Sequence, residues 1–289
     1  MPTLFGLFVV LVSVLGGFAM AGGSFPILIQ PNELLIIGGA AGGALLVSAP
    51  GKMRGRVFAS LKQAFTGRMP TKEEYLELLK LQFELYTFAR RNGAVALESH
   101  VGDVEKSDIF KKYPSFLKNH HAVDFFRDAL SQMVNGTVAE EMEQLLEAEL
   151  DTNHEEEAIP VGLIRTIGDA LPGLGIVAAV LGIVITMSHL DGGPEVIGHH
   201  VAAALVGTFL GILLCYGLFA PLAANVEIQN VAAGKYLRCI KEGLMATMRG
   251  SAPGFAVEFA RKAIFSFDRP TGAETEKACA DLKNSGAAK

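Results

Sequence analysis

The chain has 289 residues, half of them apolar and only 19% charged, with a formal net charge of −5. Soluble proteins carry nearer a quarter charged residues, and an acidic balance excludes the basic face that a nucleic-acid partner requires. The apolar excess is concentrated in a few long runs, which excludes an ordinary soluble domain.

Four runs, residues 2–22, 34–50, 170–189 and 201–224, carry no Asp, Glu, Lys or Arg in their interiors. A helix needs roughly 20 mostly apolar residues to cross a bilayer. None of the runs alternates as a barrel strand does, so the reading is an all-α integral membrane protein with four transmembrane helices. The first run is not a cleaved signal, because a signal begins with a basic region and the first positive residue is Lys52.

Between the second and third runs lies an insert that reads as helical. Thr71 and Glu74 have capping-box spacing. Leu76, Leu79, Phe83 and Tyr86 follow at helical intervals, and Asn92–Gly93 is a stop signal. "HAVDFFRDALSQMVNG" predicts a second helix closed by Asn135–Gly136. Thr137 and Glu140 form another box, opening an acidic helix that heads for the third run and is interrupted or bent near Pro160. After the fourth run the tail offers one long helical stretch and then "SAPGFAVEFARKAIFSFDRP". The predicted layout is spans one and two (1–50), a helical cytoplasmic domain (51–169), spans three and four (170–224) and a cytoplasmic helical tail (225–289).

Orientation follows from charge. All 25 Lys and Arg fall in 52–165 or 235–289, fifteen and ten respectively, and none in the two short connections. The positive-inside rule puts the insert, the tail and both termini in the cytoplasm. Cys215, Cys239 and Cys279 have no CxxC spacing and read as reduced thiols. The second span holds two GxxxG frames, Gly38/Gly42 and Gly39/Gly43, and the fourth holds Gly207/Gly211. Each fits packing within the chain or between subunits.

Known catalytic signatures are missing, so the sequence does not point to an enzyme, and no cofactor is expected. The pairs His120–His121 and His199–His200, the second in an outer loop, lack companions at metal spacing. An ion carrier needs a carboxylate within the membrane, and no span interior has one. Asp169 sits only at the inner mouth of the third span, either there or as a charge favoured at a helix start. If this chain conducts, another chain supplies the deep acid, and Thr186, Thr208 and freed carbonyls are the polar groups it contributes. Pro172 leaves the carbonyl of Gly168 without its donor and Pro221 that of Gly217, near the same side of the membrane. Pro172 equally suits the first turn of a helix, whereas Pro221 lies deeper and acts as a hinge.

"GDALPGLGIVAAVLGIV" (168–184), "VGTFLGILLCYGLFAPLA" (206–223) and "APGFAVEFARK" (252–262) resemble the flagellar motor stator family MotA, within the MotA/TolQ/ExbB proton channel superfamily. "GGFAMAGG" and "ELLIIGGAAGG" extend the likeness over nearly the whole chain. The resemblance implies a bacterial inner-membrane protein, a pentameric ring around a MotB dimer, with MotB supplying the ion-binding aspartate and a peptidoglycan anchor. Ion flow then turns the ring against the rotor switch protein FliG. The family's functional prolines fall on Pro172 and Pro221, its pore-side threonine on Thr208, and its rotor-facing charges on Arg90 and Glu98 in "ARRNGAVALE". Sodium-driven members tend to carry Thr where this chain has Ala179, so the resemblance implies a proton. The competing readings are an energy transducer like ExbB or TolQ, usually with three spans, and a membrane scaffold.

Overall fold

The computed structural model describes residues 2–188 and 193–284. The outer end of the third span at His189, most of the connection before Gly193 and the last five residues lie outside the described residues. Every regular element among the described residues is helical, and four of them are long and apolar enough to cross a membrane.

The first two apolar runs fold as α1 (Pro2–Met20) and α2 (Pro31–Ser48), joined through a 3₁₀ turn at Phe25–Leu28. Pro31 takes the first helical position, where its missing N–H costs nothing. α3 (Gly51–Thr66) follows directly. Arg54 on α3 donates to the carbonyls of Ala49 (3.0 Å) and Leu46 (2.9 Å), satisfying acceptors that the end of α2 leaves open.

The third span belongs to one helix of 49 residues, α8 (Ala139–Met187), with both Pro160 and Pro172 inside it. Of the interruption or bend expected near Pro160, the interruption is absent. A proline forfeits a single backbone hydrogen bond, and forty-odd helical neighbours outweigh it. The Thr137/Glu140 box does not open this helix either. α8 begins at Ala139, and the Thr137 hydroxyl donates to Gln132 Oε1 at 3.3 Å. The fourth span and the tail helix, expected apart, are continuous: α9 (Gly193–Leu214), a π turn at Cys215–Phe219 and α10 (Ala220–Met248). His199 and His200 therefore lie on α9, not in a loop.

The chain divides into two compact units. The first comprises residues 1–67 and 156–229. Val57 and Ala64 of α3 bury against Val161 and Ile164 of α8 and Leu222, Ala223 and Val226 of α10. Nearby, Asn225 Nδ2 donates to both Thr3 Oγ1 and the Ala64 carbonyl (3.0 Å each), tying α1, α3 and α10 together. Ile37 and Ala41 of α2 pack with Ile167, Leu171 and Ala178 of α8 and with Cys215.

The second unit comprises residues 68–155 and 230–289. α4 (Lys72–Asn92) starts at the predicted Thr71/Glu74 capping box and ends at Gly93, whose φ of 87° only glycine adopts freely. α7 (His120–Val134) closes at Asn135–Gly136 as expected. Around α4 gather two one-turn helices, α5 (Glu98–Val101) and α6 (Pro114–Leu117), together with α11 (Pro253–Lys262) and α12 (Gly272–Asn284). A box that the sequence reading missed, Thr271 with Glu274, opens α12. The core is aromatic, with Phe110, Phe116 and Phe126 in mutual contact. Buried Glu84 accepts from Tyr113 Oη (2.7 Å) and pairs with Lys112. All three cysteines are buried and free.

The Ser107 hydroxyl fixes one titratable group in this unit. Its oxygen accepts the N–H of Ile109 and of Phe110 (3.3 Å each), so its proton goes to His100 Nδ1 at 2.9 Å, leaving the ring neutral. Burial holds the His100 pKa below its usual 6.5, with Lys112 adding to the effect and Asp108 and Glu84 opposing it. A lowered histidine pKa means that the unfolded chain binds the proton more tightly. The stability it contributes is complete above about pH 6.5 and is lost as pH falls through the lower folded value. Thermal stability of the full chain in detergent should therefore weaken as pH falls below about 6.5. His100→Gln should flatten that slope.

Candidate ion-pathway site

Small residues let two backbones meet where larger ones would hold them apart. Along α8, Gly168, Leu171, Gly175 and Gly182 face Phe219, Gly211, Gly207 and Ala204 in that order, so α8 and α9 run antiparallel. The approach is close. A Cβ on Gly175 would stand 2.6 Å from the Gly207 carbonyl oxygen, and one on Gly211 would stand 2.4 Å from that of Leu171. The Gly207/Gly211 frame is thus used inside the chain. The frames on α2 are not, since a Cβ on Gly38, Gly39, Gly42 or Gly43 would meet nothing within 4 Å.

The sequence-predicted residues of the spans gather along this seam. Thr208 Oγ1 reaches the Gly175 carbonyl at 3.5 Å, across the two helices. Hydrogen bonds between membrane helices average about 0.6 kcal/mol, and this one is long. Overpacking a close contact costs about 1–3 kcal/mol, so the glycines rather than the hydroxyl hold the seam. Ala179 is buried beside Ala178, whose methyl lies 3.1 Å from where a Gly207 Cβ would stand. Thr186 turns inward and donates to the Gly182 carbonyl at 2.8 Å.

Pro172 follows Leu171, the residue pressed on Gly211. It lies 33 residues into α8, so the first-turn reading fails and the carbonyl of Gly168 is left without its helical donor. The same fact removes the helix-start reading of Asp169, which is mid-helix and exposed. Pro221 comes two residues after the π turn. That turn is the local adjustment a chain makes when a proline removes a donor. Gly168 faces Phe219 in the π turn (2.9 Å from a built Cβ to Phe219 Cβ), so the irregular backbone near both prolines meets at one level.

Arg90 and Glu98 lie in the other unit. Both are exposed, Arg90 in the last turn of α4 and Glu98 at the start of α5. Gly93 and a 3₁₀ turn at Ala94–Leu97 separate them, with Leu97 fully buried as the anchor. Among the described residues no three His, Cys, Asp or Glu side chains are placed to hold a metal ion.

One acidic residue was missed. The boundary drawn at Leu34 left Glu33 outside the second span, but α2 starts at Pro31 and Glu33 is 7% exposed in its first turn. The membrane spans therefore do carry a buried carboxyl of their own. Pro31 was the available signal, because a proline marks the first helical position and draws the next residues into the helix.

Seam, prolines and apolar surface define a four-span, all-helical membrane protein built around one close helix pair. The description "Motility protein A N-terminal" matches residues 4–93, and "MotA/TolQ/ExbB proton channel family" matches residues 118–236. The chain is 37% identical to motility protein A of Salmonella typhimurium and 38% identical to that of Escherichia coli, in each case over 98% of this chain and 97% of the relative. Among solved structures, the flagellar MotAB stator complex from Bacillus subtilis matches with a TM-score of 0.74 and 26% identity, over 91% of this chain and 94% of that one. C. jejuni MotAB matches in fold with a TM-score of 0.79 at 22% identity, over 93% of this chain and 98% of that one. The chain belongs to the motility protein A family.

The seam makes a direct prediction. Gly211→Ala should lower the thermal stability of the purified chain by about 1–3 kcal/mol and stop motility. Gly39→Ala, with open space around it, should leave the stability of the chain unchanged.

Proposed function

We propose that this chain is a stator subunit of the bacterial flagellar motor, which conducts protons together with a MotB partner and converts their flow into torque. The observation that carries the reading is the likeness, over nine-tenths of both chains and at 26% identity, to a solved flagellar MotAB stator complex. The seam supports it, since Thr208, the carbonyls freed by Pro172 and Pro221, and buried Ala179 all belong to one helix pair. Asp169 stands at the inner end of that pathway. MotB supplies the ion-binding aspartate deep in the membrane and the anchor to peptidoglycan. Alanine at 179 offers no side-chain oxygen to a sodium ion, which needs several, whereas a proton needs only an acceptor and a path. The proton is accordingly the coupling ion.

The protein lies in the inner membrane with both termini in the cytoplasm, an orientation that the distribution of its basic residues supports. Five copies form the ring, and the unused glycines of α2 and the exposed apolar faces of α8 and α9 belong to contacts with lipid, MotB and neighbouring subunits. Arg90 and Glu98 face FliG. Exposed ion pairs contribute roughly 0–1 kcal/mol each, so a single lost pair weakens torque without abolishing it.

Deletion of the gene should leave cells with complete flagella that do not rotate. Normal swimming with impaired siderophore uptake would instead identify an ExbB-like or TolQ-like transducer. Pro172→Ala and Pro221→Ala should each block swimming at unchanged membrane levels, and Glu98→Lys should slow it. Unimpaired swimming in both proline variants refutes the hinge.

A further inference from the structure

A carboxyl group buried among membrane helices is expensive, and its surroundings show what it is kept for. Glu33 lies in the first turn of α2, yet its side chain enters the α8–α9 seam. Its Oε2 is fully buried and has no hydrogen-bond partner among the described residues. The space it occupies exists because of Gly207, and Gly182 lies in ordinary contact beside it. A Cβ on Gly207 would stand 2.4 Å from Oε2, and one on Gly182 would stand 3.6 Å from Oε1. Any side chain at 207 would evict the carboxyl.

The position along the membrane is as informative as the burial. Gly182 is five residues from the outer end of α8 at Met187, about 8 Å along the axis. Gly207, which floors the carboxyl, directly precedes Thr208, whose hydroxyl reaches the Gly175 carbonyl further in. Glu33 thus stands between the outer face and the residues assigned to ion passage. The elements packed on it bring few charges to its level. The nearest on α8 is Asp169, thirteen residues from Gly182 and about 20 Å away along the helix, and the other charges of α8 lie further in. α9 has Glu195, His199 and His200, all in its first eight residues. The 3₁₀ turn Phe25–Leu28 has none, and α2 has only Glu33 itself. The proline pair, a feature of the inner half, does not explain an acid at this level.

We propose that Glu33 is the outer proton-accepting site of the pathway. Its carboxylate takes a proton from hydronium on the outer aqueous side, forming an O–H bond at Oε2 and leaving water. That O–H bond then breaks as the proton passes inward, past the level of Thr208, to the aspartate that the partner supplies, which regenerates the Glu33 carboxylate. The orphaned oxygen is the acceptor held open for this step. The proposal rests on the proton-conducting reading above and adds an acid from this chain to the one supplied by its partner.

The test compares wild type, Glu33→Gln and Glu33→Asp, each co-expressed with the one-span partner, purified as the complex and reconstituted in vesicles. Proton uptake is followed with a pH-sensitive dye as the outer pH is varied. At equal co-purification of the partner, Glu33→Gln should cut uptake about ten-fold or more and remove its dependence on outer pH. Glu33→Asp keeps a carboxyl one methylene shorter, and should conduct with a displaced outer-pH profile. Wild-type uptake and profile in Glu33→Gln overturn the role of Glu33 and leave the channel reading standing. If Glu33→Gln fails to assemble, an unchanged profile in Glu33→Asp overturns it equally. A wild-type complex that conducts no protons overturns the channel reading, and with it this role.

Discussion

The approach of α8 to α9 is the constraint on which the membrane unit depends. In lipid there is no hydrophobic gain from bringing two apolar helices together, so close packing has to supply the association. Gly175, Gly207 and Gly211 permit it, placing backbone carbonyls where side chains would otherwise stand. The other features of the seam follow from that proximity. Thr208 reaches across because Gly175 is near, Ala178 is sealed against Gly207, and Glu33 fits only because position 207 has no side chain. A larger residue at any of the three glycines would separate parts that act together.

The second unit is held by different means. It has a water-facing surface and an aromatic core, with capped helices and buried polar pairs such as Glu84 with Tyr113. Burial of apolar area, the ordinary driving force in water, stabilises it. One chain therefore contains two solutions to the folding problem, each matched to its solvent. The substitutions they tolerate differ in kind. Volume matters most in the spans, while polarity and capping matter as much as volume in the insert.

Much of this was legible in the sequence. The four spans, the helical insert, the Thr71/Glu74 box and the Asn135–Gly136 stop are local signals, and local signals survive folding. The misses share a cause. Pro160 and Pro172 are breakers by propensity, but α8 runs through both because its packing and its surroundings favour continuity. Thr137 and Glu140 have the spacing of a box, yet the Thr137 hydroxyl finds Gln132 first. Glu33 was excluded because a hydropathy boundary marks where apolar residues begin, not where a helix does. For the site, Pro172, Pro221 and Thr208 were visible in the motifs. Their convergence on Gly168, Phe219 and Gly175 was not, because a contact between residues over thirty positions apart leaves no periodic trace.

The π turn at Cys215–Phe219 has a geometric meaning of its own. It spends one residue more than an α-helix would on a single turn, which amounts to an insertion in an otherwise regular helix. Each residue of an α-helix advances about 100°, so the extra one sets the angle between two faces of the same rod. Before it, Gly207 and Gly211 look toward α8. After it, Leu222, Ala223 and Val226 look toward α3 and the Val161–Ile164 stretch. Without that residue the second face would swing by roughly a quarter of a turn and its partners would meet the wrong side chains. Length here is a torsional setting, and the helix has no spare residue to lose.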